Sequence, residues 1–379
     1  MNNFDLQQYL TDLRTLCAID SGQGNAAGTK AVTDFFAQRY AALGLQTERR
    51  FLNGNSHAPV LLVRNSDDEE IDVLFIAHMD TVFAPGTAEK WPFSVDENGI
   101  GHGPGCADCK SGCLSIYYLL RAMLENGDCR FRFCVIMNSD EEKGSYLSRP
   151  YFEELAPRAK CCLVFEPGRP NDEFVGCRKA GYSYRVRCHG VRAHAAVEPE
   201  KGASALLELA RWVNELYTLT DYAAGTTVNV GSFSGGTDDG SVPYYAECTF
   251  SIRFIKEEAE ERLQTMLRRM KEEPFDPRTS IEVTEVSSCP AIRPHEKTEA
   301  LFALLRETGS ELGQPVELLT TGGRSDGNWV SHYGVATLDG CGPCGGNLHT
   351  EREYLKTMTV EPRLDMMRTL LNKLFPAQD

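Results

Sequence analysis

Four short apolar runs in this chain each end in, or lead to, residues of metal-binding type. They are Ile71-Asp-Val-Leu-Phe-Ile-Ala-His78-Met-Asp80, Phe131-Arg-Phe-Cys-Val-Ile-Met-Asn-Ser-Asp-Glu-Glu142, Cys161-Cys-Leu-Val-Phe-Glu166, and Val335-Ala-Thr-Leu-Asp-Gly340, which leads to His349. A further acid, Asp108, follows the glycine-rich stretch Gly101-His-Gly-Pro-Gly105 and opens a helical pattern. Short apolar runs alternating with helical patterns predict a mostly parallel sheet, and such sheets hold their ligands at the carboxyl ends of the strands. Two histidines and several carboxylates converging on one edge describe a dinuclear metal site. Each residue alone is weak evidence; the ordered set is specific.

The strand and helix grammar divides the chain. Up to about Val175 helix and strand alternate, with helical spacing over Lys30–Leu43 and Ser111–Asn126 and a buried strand over Ile71–Ala77. The stretch Tyr182-Ser-Tyr-Arg-Val-Arg-Cys-His189 then alternates apolar and polar residues, the mark of a strand with one solvated face. A helix over Ala203–Leu219, strands near Thr226–Phe233 and Ala246–Phe254, a charged helix over Lys256–Glu273 and a strand near Ile281–Val286 follow. That order, strand–helix–strand–strand–helix–strand, is a small α+β sandwich of ferredoxin-like type. Helix–strand alternation returns from about Pro290 and ends in a helix over Val360–Phe375. The expected fold is α/β: a mostly parallel, doubly wound catalytic sheet in residues 1–177 and 291–379, interrupted by a smaller α+β domain in residues 178–290. A chain of 379 residues exceeds one ordinary core, which agrees with two domains.

Composition excludes several classes of function. A formal charge of −15 opposes nucleic-acid binding, which needs a concentrated basic surface. No apolar stretch approaches the roughly 20 residues needed to span a bilayer. The start, Met1-Asn-Asn-Phe-Asp-Leu-Gln-Gln-Tyr-Leu10, has neither the basic nor the apolar region of a secretory leader. Fourteen scattered cysteines, several inside strand-like runs, suit a reducing compartment, so a cytoplasmic protein without disulfides is expected.

Neutral imidazole and carboxylates are zinc ligands, at about four per ion. Two ions about 3.5–4 Å apart act together on a carbonyl and its attacking water, and that chemistry also needs a carboxylate that moves protons without holding metal. One of Glu141 and Glu142 is suited to this role if the backbone there is extended, because neighbouring side chains then point to opposite sides.

The segments His78-Met-Asp-Thr-Val82, Gly103-Pro-Gly-Cys-Ala-Asp-Cys-Lys110, Asp140-Glu-Glu142, Phe165-Glu-Pro167, Gly322-Gly-Arg-Ser-Asp-Gly327 and Gly346-Asn-Leu-His349 together resemble the M20 family of metallopeptidases, in particular its glutamate carboxypeptidase branch, over essentially the whole chain. The resemblance implies two Zn²⁺ per chain, with Co²⁺ or Mn²⁺ suited to similar ligands. His78 and Glu166 would complete the first ion, Glu142 and His349 the second, and Asp108 would bridge both. Asp80 would fix the tautomer of His78, and Glu141 would be the general base acting on a bridging hydroxide. The inserted domain would serve as a lid and as the homodimer interface, with His194 reaching the partner's active site to stabilise the oxyanion. Arg253 matches a substrate-binding arginine. Arg324 places a second guanidinium in a loop of small residues, a group suited to carboxylates. Gly240 and Cys289 stand where carboxypeptidase relatives often carry Asn and a basic residue, so the clamp is expected to be partly rebuilt.

The implied activity is that of a zinc-dependent exopeptidase of carboxypeptidase type, cutting a peptide or amide bond next to a free carboxylate. An N-acyl amino-acid deacylase or dipeptidase is the near alternative, and a catalytically idle metal- or carboxylate-binding relative is the alternative of another class. The expected partner is a small peptide or N-acyl amino acid, with neither nucleic acid nor membrane. Cys106-x-x-Cys109 with Cys341-x-x-Cys344 offers a rival structural zinc site, and Cys109 alone reads as a reactive thiol beside the metals. Ser325 and Asp326 read equally as turn residues. His57, His102, His189, His295 and His332 read as ordinary.

Overall fold

The computed structural model describes residues 4–22, 24–51, 59–236 and 238–377. His57, and the first three residues of the N-terminal stretch, lie outside the described residues. The chain divides into two compact units, one of residues 1–177, 292–321 and 325–379, the other of residues 178–291 and 322–324.

The larger unit is built on a six-stranded sheet. Strand Ile71–His78 lies between Phe133–Asn138 and Ala159–Val164 and is parallel to both, and Ala336–Leu338 continues the parallel set. On the far side Val60–Arg64 and then Gln46–Arg50 pair antiparallel. Ile71–His78 and Phe133–Asn138 are buried at every position, as expected of strands covered on both faces. Their continuous apolar runs have no other environment in which to sit. Helix Lys110–Glu125 packs into the core, where the Tyr9 hydroxyl donates to the Ser111 carbonyl at 2.9 Å and the Tyr118 hydroxyl to Asp12 Oδ2 at 2.9 Å. A second, small sheet joins Gly345–Gly346, Tyr354–Lys356, Ile100–His102 and Ser94–Val95. It ties the loop before Asp108 to the loop carrying His349.

The smaller unit is a four-stranded antiparallel sheet in the order 227–235, 245–254, 180–189, 280–287. Burial alternates along the whole of Tyr245–Phe254, so one face is packed and the other is not. Helices Ala205–Tyr217 and Glu257–Glu272 supply Trp212, Leu216, Leu263 and Met270 to the packed core. The buried Glu208 carboxylate accepts from Trp212 Nε1 at 2.9 Å and from the Phe275 and Asp276 amides at 2.8 and 2.9 Å, fixing the helix to the turn beyond its neighbour. This is the ferredoxin-like unit, inserted in an α/β fold with a mostly parallel sheet. Residues 322–324 group with it because the buried Arg178 donates from Nη1 to the Gly323 and Arg324 carbonyls at 3.3 and 3.1 Å.

Gly112 sets how closely the Lys110–Glu125 helix approaches the strand end that carries Glu166. A Cβ there would lie 1.9 Å from the Phe165 carbonyl oxygen and 2.7 Å from Cys109 Sγ. Backbone cannot yield as a flexible side chain can, so Gly112→Ala is expected to destabilise the fold by about 1–3 kcal/mol. Urea unfolding measures this; an unchanged midpoint would contradict the close approach.

Candidate metal centre

The parallel sheet delivers three groups to one edge. His78 is the last residue of its strand and pairs in register with Asn138. The chain after Asn138 turns through Asp140 into a short 3₁₀ segment, Glu141–Lys143. Phe165 donates its amide to the Ile76 carbonyl at 2.7 Å, which places Glu166 beside His78. Asp108 lies just before helix Lys110–Glu125, and His349 sits in left-handed backbone (φ 63°) after Gly345–Gly346. All of these groups belong to the larger unit.

Asp108 faces both imidazoles. Its Oδ1 is 3.0 Å from His78 Nε2, and its Oδ2 is 3.2 Å from His349 Nε2. Glu166 Oε1 is 3.5 Å from His78 Nε2, and Glu142 Oε2 is 3.2 Å from His349 Nε2. Two groups of ligand atoms result, His78 with Asp108, Cys109 and Glu166, and Asp108 with Glu142 and His349. In a tetrahedral shell with bonds of 2.0–2.2 Å, neighbouring ligand atoms lie about 3.3–3.6 Å apart. The observed separations of 3.0–3.5 Å lie at or a few tenths of an ångström below that edge length, and Glu142 Oε1 is buried without a hydrogen-bond partner among the described residues. Imidazole nitrogens and carboxylate oxygens are the donor chemistry of zinc, so the residues present fit a divalent metal.

Asp80 holds this arrangement from behind. It is fully buried, with Oδ1 3.3 Å from His78 Nδ1. Its two oxygens also accept from the Glu141 and Glu142 amides at 3.2 and 3.1 Å. The Asp80 backbone carbonyl, 3.1 Å from His78 Nδ1, orients the histidine together with the carboxylate, and the carboxylate anchors the segment carrying both glutamates. Glu141 and Glu142 differ in environment because of this 3₁₀ turn, not because of extended backbone as the sequence reading supposed. Glu142 reaches His349, whereas Glu141 belongs to neither ligand group.

Several residues support the site in ways the sequence did not assign. Glu353, buried, accepts from the Ala107 and Asp108 amides at 2.8 and 3.1 Å and so sets the Asp108 loop. Asp140 accepts from the Leu147 amide at 2.7 Å and closes the loop after the glutamates. Asp326 is buried and bonded to the Ser145 hydroxyl and to Asn138 Nδ2, the latter at 2.8 Å, and Ser325 is bonded to Asp339. These two residues therefore form a buried polar network rather than a simple turn. An acid four residues beyond His349, or a serine and asparagine near strand ends, has no spacing that marks it in advance.

The cysteine expectations are corrected. The four thiols of the rival site point to different partners: Cys106 to the Gly101 carbonyl, Cys109 to Phe165, Cys341 to Leu338 and Cys344 to Asp172. They form no joint ligand group among the described residues. Cys109 is fully buried, donates to the Phe165 carbonyl at 3.0 Å, and has its pKa pushed well above the ordinary thiol range by burial, the opposite of a reactive thiol.

The remaining expected site residues lie in the smaller unit. His194 is exposed, and its Nδ1 accepts from the Ala196 and Val197 amides at 3.2 Å each. Arg253 is half-buried, opposite Gly181 in the sheet, and burial and the nearby Arg324 charge both lower its pKa. Its Nη1 is buried without a hydrogen-bond partner among the described residues. A Cβ at Gly181 would fall 1.8 Å from that nitrogen, so glycine makes room for the guanidinium.

The sequence profile of peptidase family M20/M25/M40 matches residues 74–373, and the chain belongs to this family. It is accordingly a hydrolase of peptide or amide bonds. Carboxypeptidase G2 of Pseudomonas sp. (strain RS-16) is 28% identical over 369 residues, which cover 96% of this chain and 88% of that protein. Succinyl-diaminopimelate desuccinylase of Hydrogenovibrio crunogenus (strain DSM 25203 / XCL-2) is 25% identical over 323 residues, covering 80% of this chain and 84% of that one. Among solved structures, aminopeptidase PepT of Bacillus cereus ATCC 10987 superposes with a TM-score of 0.78 at 21% identity, covering 98% of this chain and 99% of its own. The M20 metallo-carboxypeptidase Sso-CP2 of Sulfolobus solfataricus gives 0.71 at 16% identity over 98% of this chain and 100% of its own. No helix among the described residues is long and apolar enough to cross a membrane.

Without metal the site holds protons tightly. Burial pushes Asp326 up to about 7, and burial with the Asp108 charge pushes Glu353 up to about 7. Hydrogen bonds to Asp108 and Glu142 raise His349 to about 10. All three bind protons more strongly folded than unfolded. Their stabilising contribution is full below the unfolded pKa values and is lost as pH rises through the folded ones. The thermal midpoint of EDTA-stripped protein is therefore expected to fall steadily from pH 5 to pH 9, and restored zinc to flatten the fall. A midpoint that rises across that range would contradict these environments.

Proposed function

We propose that the chain is a zinc-dependent exopeptidase of carboxypeptidase type, hydrolysing a peptide or amide bond next to a free carboxylate. The observation that carries this reading is the placement of Glu141 beside two ligand groups that share Asp108, while it belongs to neither. Burial pushes the Glu141 carboxyl well above the ordinary carboxylate range, while His78 pulls it down and the neighbouring acids raise it further. A carboxylate of raised basicity is a stronger proton acceptor than a free one.

His78, Glu166 and Asp108 would hold one ion, and Asp108, Glu142 and His349 the other. Two such ions, when bound, polarise the scissile carbonyl and make the attacking water more acidic. Glu141 takes the proton from that water and returns it to the leaving nitrogen, so the amine departs neutral. Asp80 keeps His78 Nε2 free to ligate by accepting from Nδ1 and holds the Glu141 backbone in place. Arg253 and Arg324 bind the substrate's free carboxylate; the unpartnered Arg253 Nη1 and the mutual repulsion of the two cations support an anionic ligand for the pair. His194, being exposed, is available to a partner subunit and an oxyanion there. Homodimerisation through the inserted unit is supported by its edge strand Thr227–Gly235, which exposes Phe233. Fourteen cysteines without a disulfide support a cytoplasmic setting.

An N-acyl amino-acid deacylase is the second reading, favoured by similarity to the desuccinylase. A turnover screen of dipeptides and N-acyl amino acids with added zinc separates the two. The carboxypeptidase reading expects cleavage of free-acid substrates and little of their C-terminal amides; equal rates on both would overturn it. An idle binding protein would turn over nothing in the screen.

Two substitutions test the roles. Glu141→Gln is expected to lower kcat about 10²–10⁴-fold with metal content near normal. Loss of metal instead would reassign Glu141 as a ligand. Arg253→Ala removes a charge-assisted contact of about 1.5–3 kcal/mol and is expected mainly to raise KM. An unchanged KM would remove Arg253 from the clamp.

A further inference from the structure

The loop of residues 139–144 joins strand Phe133–Asn138 to Ser145 and carries the 3₁₀ segment Glu141–Lys143. One carboxylate bonds to both of its ends. Asp326 Oδ2 accepts from Asn138 Nδ2 at 2.8 Å, and Asp326 Oδ1 accepts from the Ser145 hydroxyl. Asn138 Nδ2 also lies 3.4 Å from Ser145 Oγ, so the three side chains close a triangle. All three are buried, all lie in the larger unit, and Asp326 belongs to neither ligand group.

The two loop ends differ in what else holds them. Asn138 is a strand residue in register with His78, and its Nδ2 also donates to Ser148 Oγ at 2.9 Å. Ser145 has left-handed backbone (φ 58°), a region that few residues with a Cβ adopt. Such backbone persists where its surroundings hold it, and it clusters at sites whose geometry matters. The Ser145 amide donates to the Asp140 carbonyl at 2.9 Å, and its hydroxyl reaches Asp326. Asp326 is itself a fixed point. Ser325 before it donates its amide to Asn328 Oδ1 at 3.0 Å and its hydroxyl to Asp339. Asp80 secures the amides of Glu141 and Glu142, and Asp140 that of Leu147; of these three acids, Asp326 is the one that bonds to both Asn138 and Ser145.

We propose that Asp326 is a positioning residue for the reaction. By tying Asn138 to Ser145 it sets where Glu141 stands relative to the ligand groups that share Asp108. Glu142 is a member of one of those groups, so ligation draws its side chain back into place if the loop loosens. Glu141 belongs to neither, so its place depends on the loop backbone. A misplacement of about 1 Å in a reacting group costs up to about 10²-fold in rate. This role rests on the proposed role of Glu141 as the base.

The test compares Asp326→Ala, Asp326→Asn and Ser145→Ala in the zinc-loaded full chain. Asparagine keeps both bonds, its Oδ1 accepting from Asn138 and its Nδ2 donating to the Ser145 hydroxyl oxygen. Ser145→Ala cuts the tie from its other end, away from Arg324 in sequence, and stands in if Asp326→Ala fails to fold. Hydrogen–deuterium exchange reads the loop amides of residues 139–145, and kcat and KM are measured on the free-acid substrate cleaved fastest in the screen above. Expected in both alanine variants are faster exchange in the loop, near-normal zinc content, and a kcat lower by about 10–100-fold with KM little changed. Asp326→Asn is expected to recover most of the loss. Asp326→Ala placed on Glu141→Gln is expected to cost far less than it does alone, because the group it positions is already absent. The proposal is overturned by unchanged exchange in both alanine variants, or by a raised KM with kcat kept. It is equally overturned if Asp326→Asn is as impaired as Asp326→Ala, or if the loss is undiminished on Glu141→Gln. A kcat that Glu141→Gln leaves intact overturns the base itself, and this role with it.

Discussion

The site is organised by one carboxylate that faces two imidazoles. Asp108 presents Oδ1 to His78 and Oδ2 to His349, at 3.0 and 3.2 Å. These histidines reach it from unrelated elements, one from the end of a central parallel strand and one from a left-handed loop position. Most of the surrounding structure serves to hold Asp108 between them. Glu353 accepts the amides of Ala107 and Asp108, the small sheet joins the Asp108 and His349 loops, and Gly112 lets the following helix approach the Glu166 strand end. A shift of Asp108 by one ångström would spoil both ligand groups at once.

That arrangement concentrates like charge. Asp80, Asp108, Glu142 and Glu166 are mostly buried side chains, and Asp140 and Asp326 lie behind them with pKa values raised by burial. Without cations the chain can reduce the repulsion only by keeping protons on some of these groups. Divalent cations held by these groups would replace those protons, and Glu141 stands outside both ligand groups. Stability and function are therefore linked through the same atoms.

The sequence disclosed the parallel strands because their buried runs are uniformly apolar, and the inserted unit because strands such as Tyr182–His189 alternate. Strand ends and glycine loops marked His78, Asp108, Glu166, His349 and the Glu141–Glu142 pair as candidates, the family resemblance assigned their roles, and the fold brings the ligand atoms of His78, Asp108, Glu142, Glu166 and His349 into two groups. The sequence misjudged the backbone at Glu141, since a 3₁₀ turn held by Asp80 depends on a contact 61 residues away. Glu353 was hidden, and the buried bonding of Asp326 unreadable, for the same reason, as their partners at Asp108 and Asn138 are 245 and 188 residues distant. The buried state of Cys109 was equally invisible, because a thiol's reactivity is set by neighbours that only the fold assembles.

The most direct measurement of the shared site is metal content by elemental analysis of the purified protein and of Asp108→Asn. A dinuclear centre bridged by Asp108 predicts about two zinc ions per chain in the unmodified protein and loss of most of them in the variant, since a neutral amide cannot serve both ions. A single tightly bound ion, unaffected by the substitution, would contradict it.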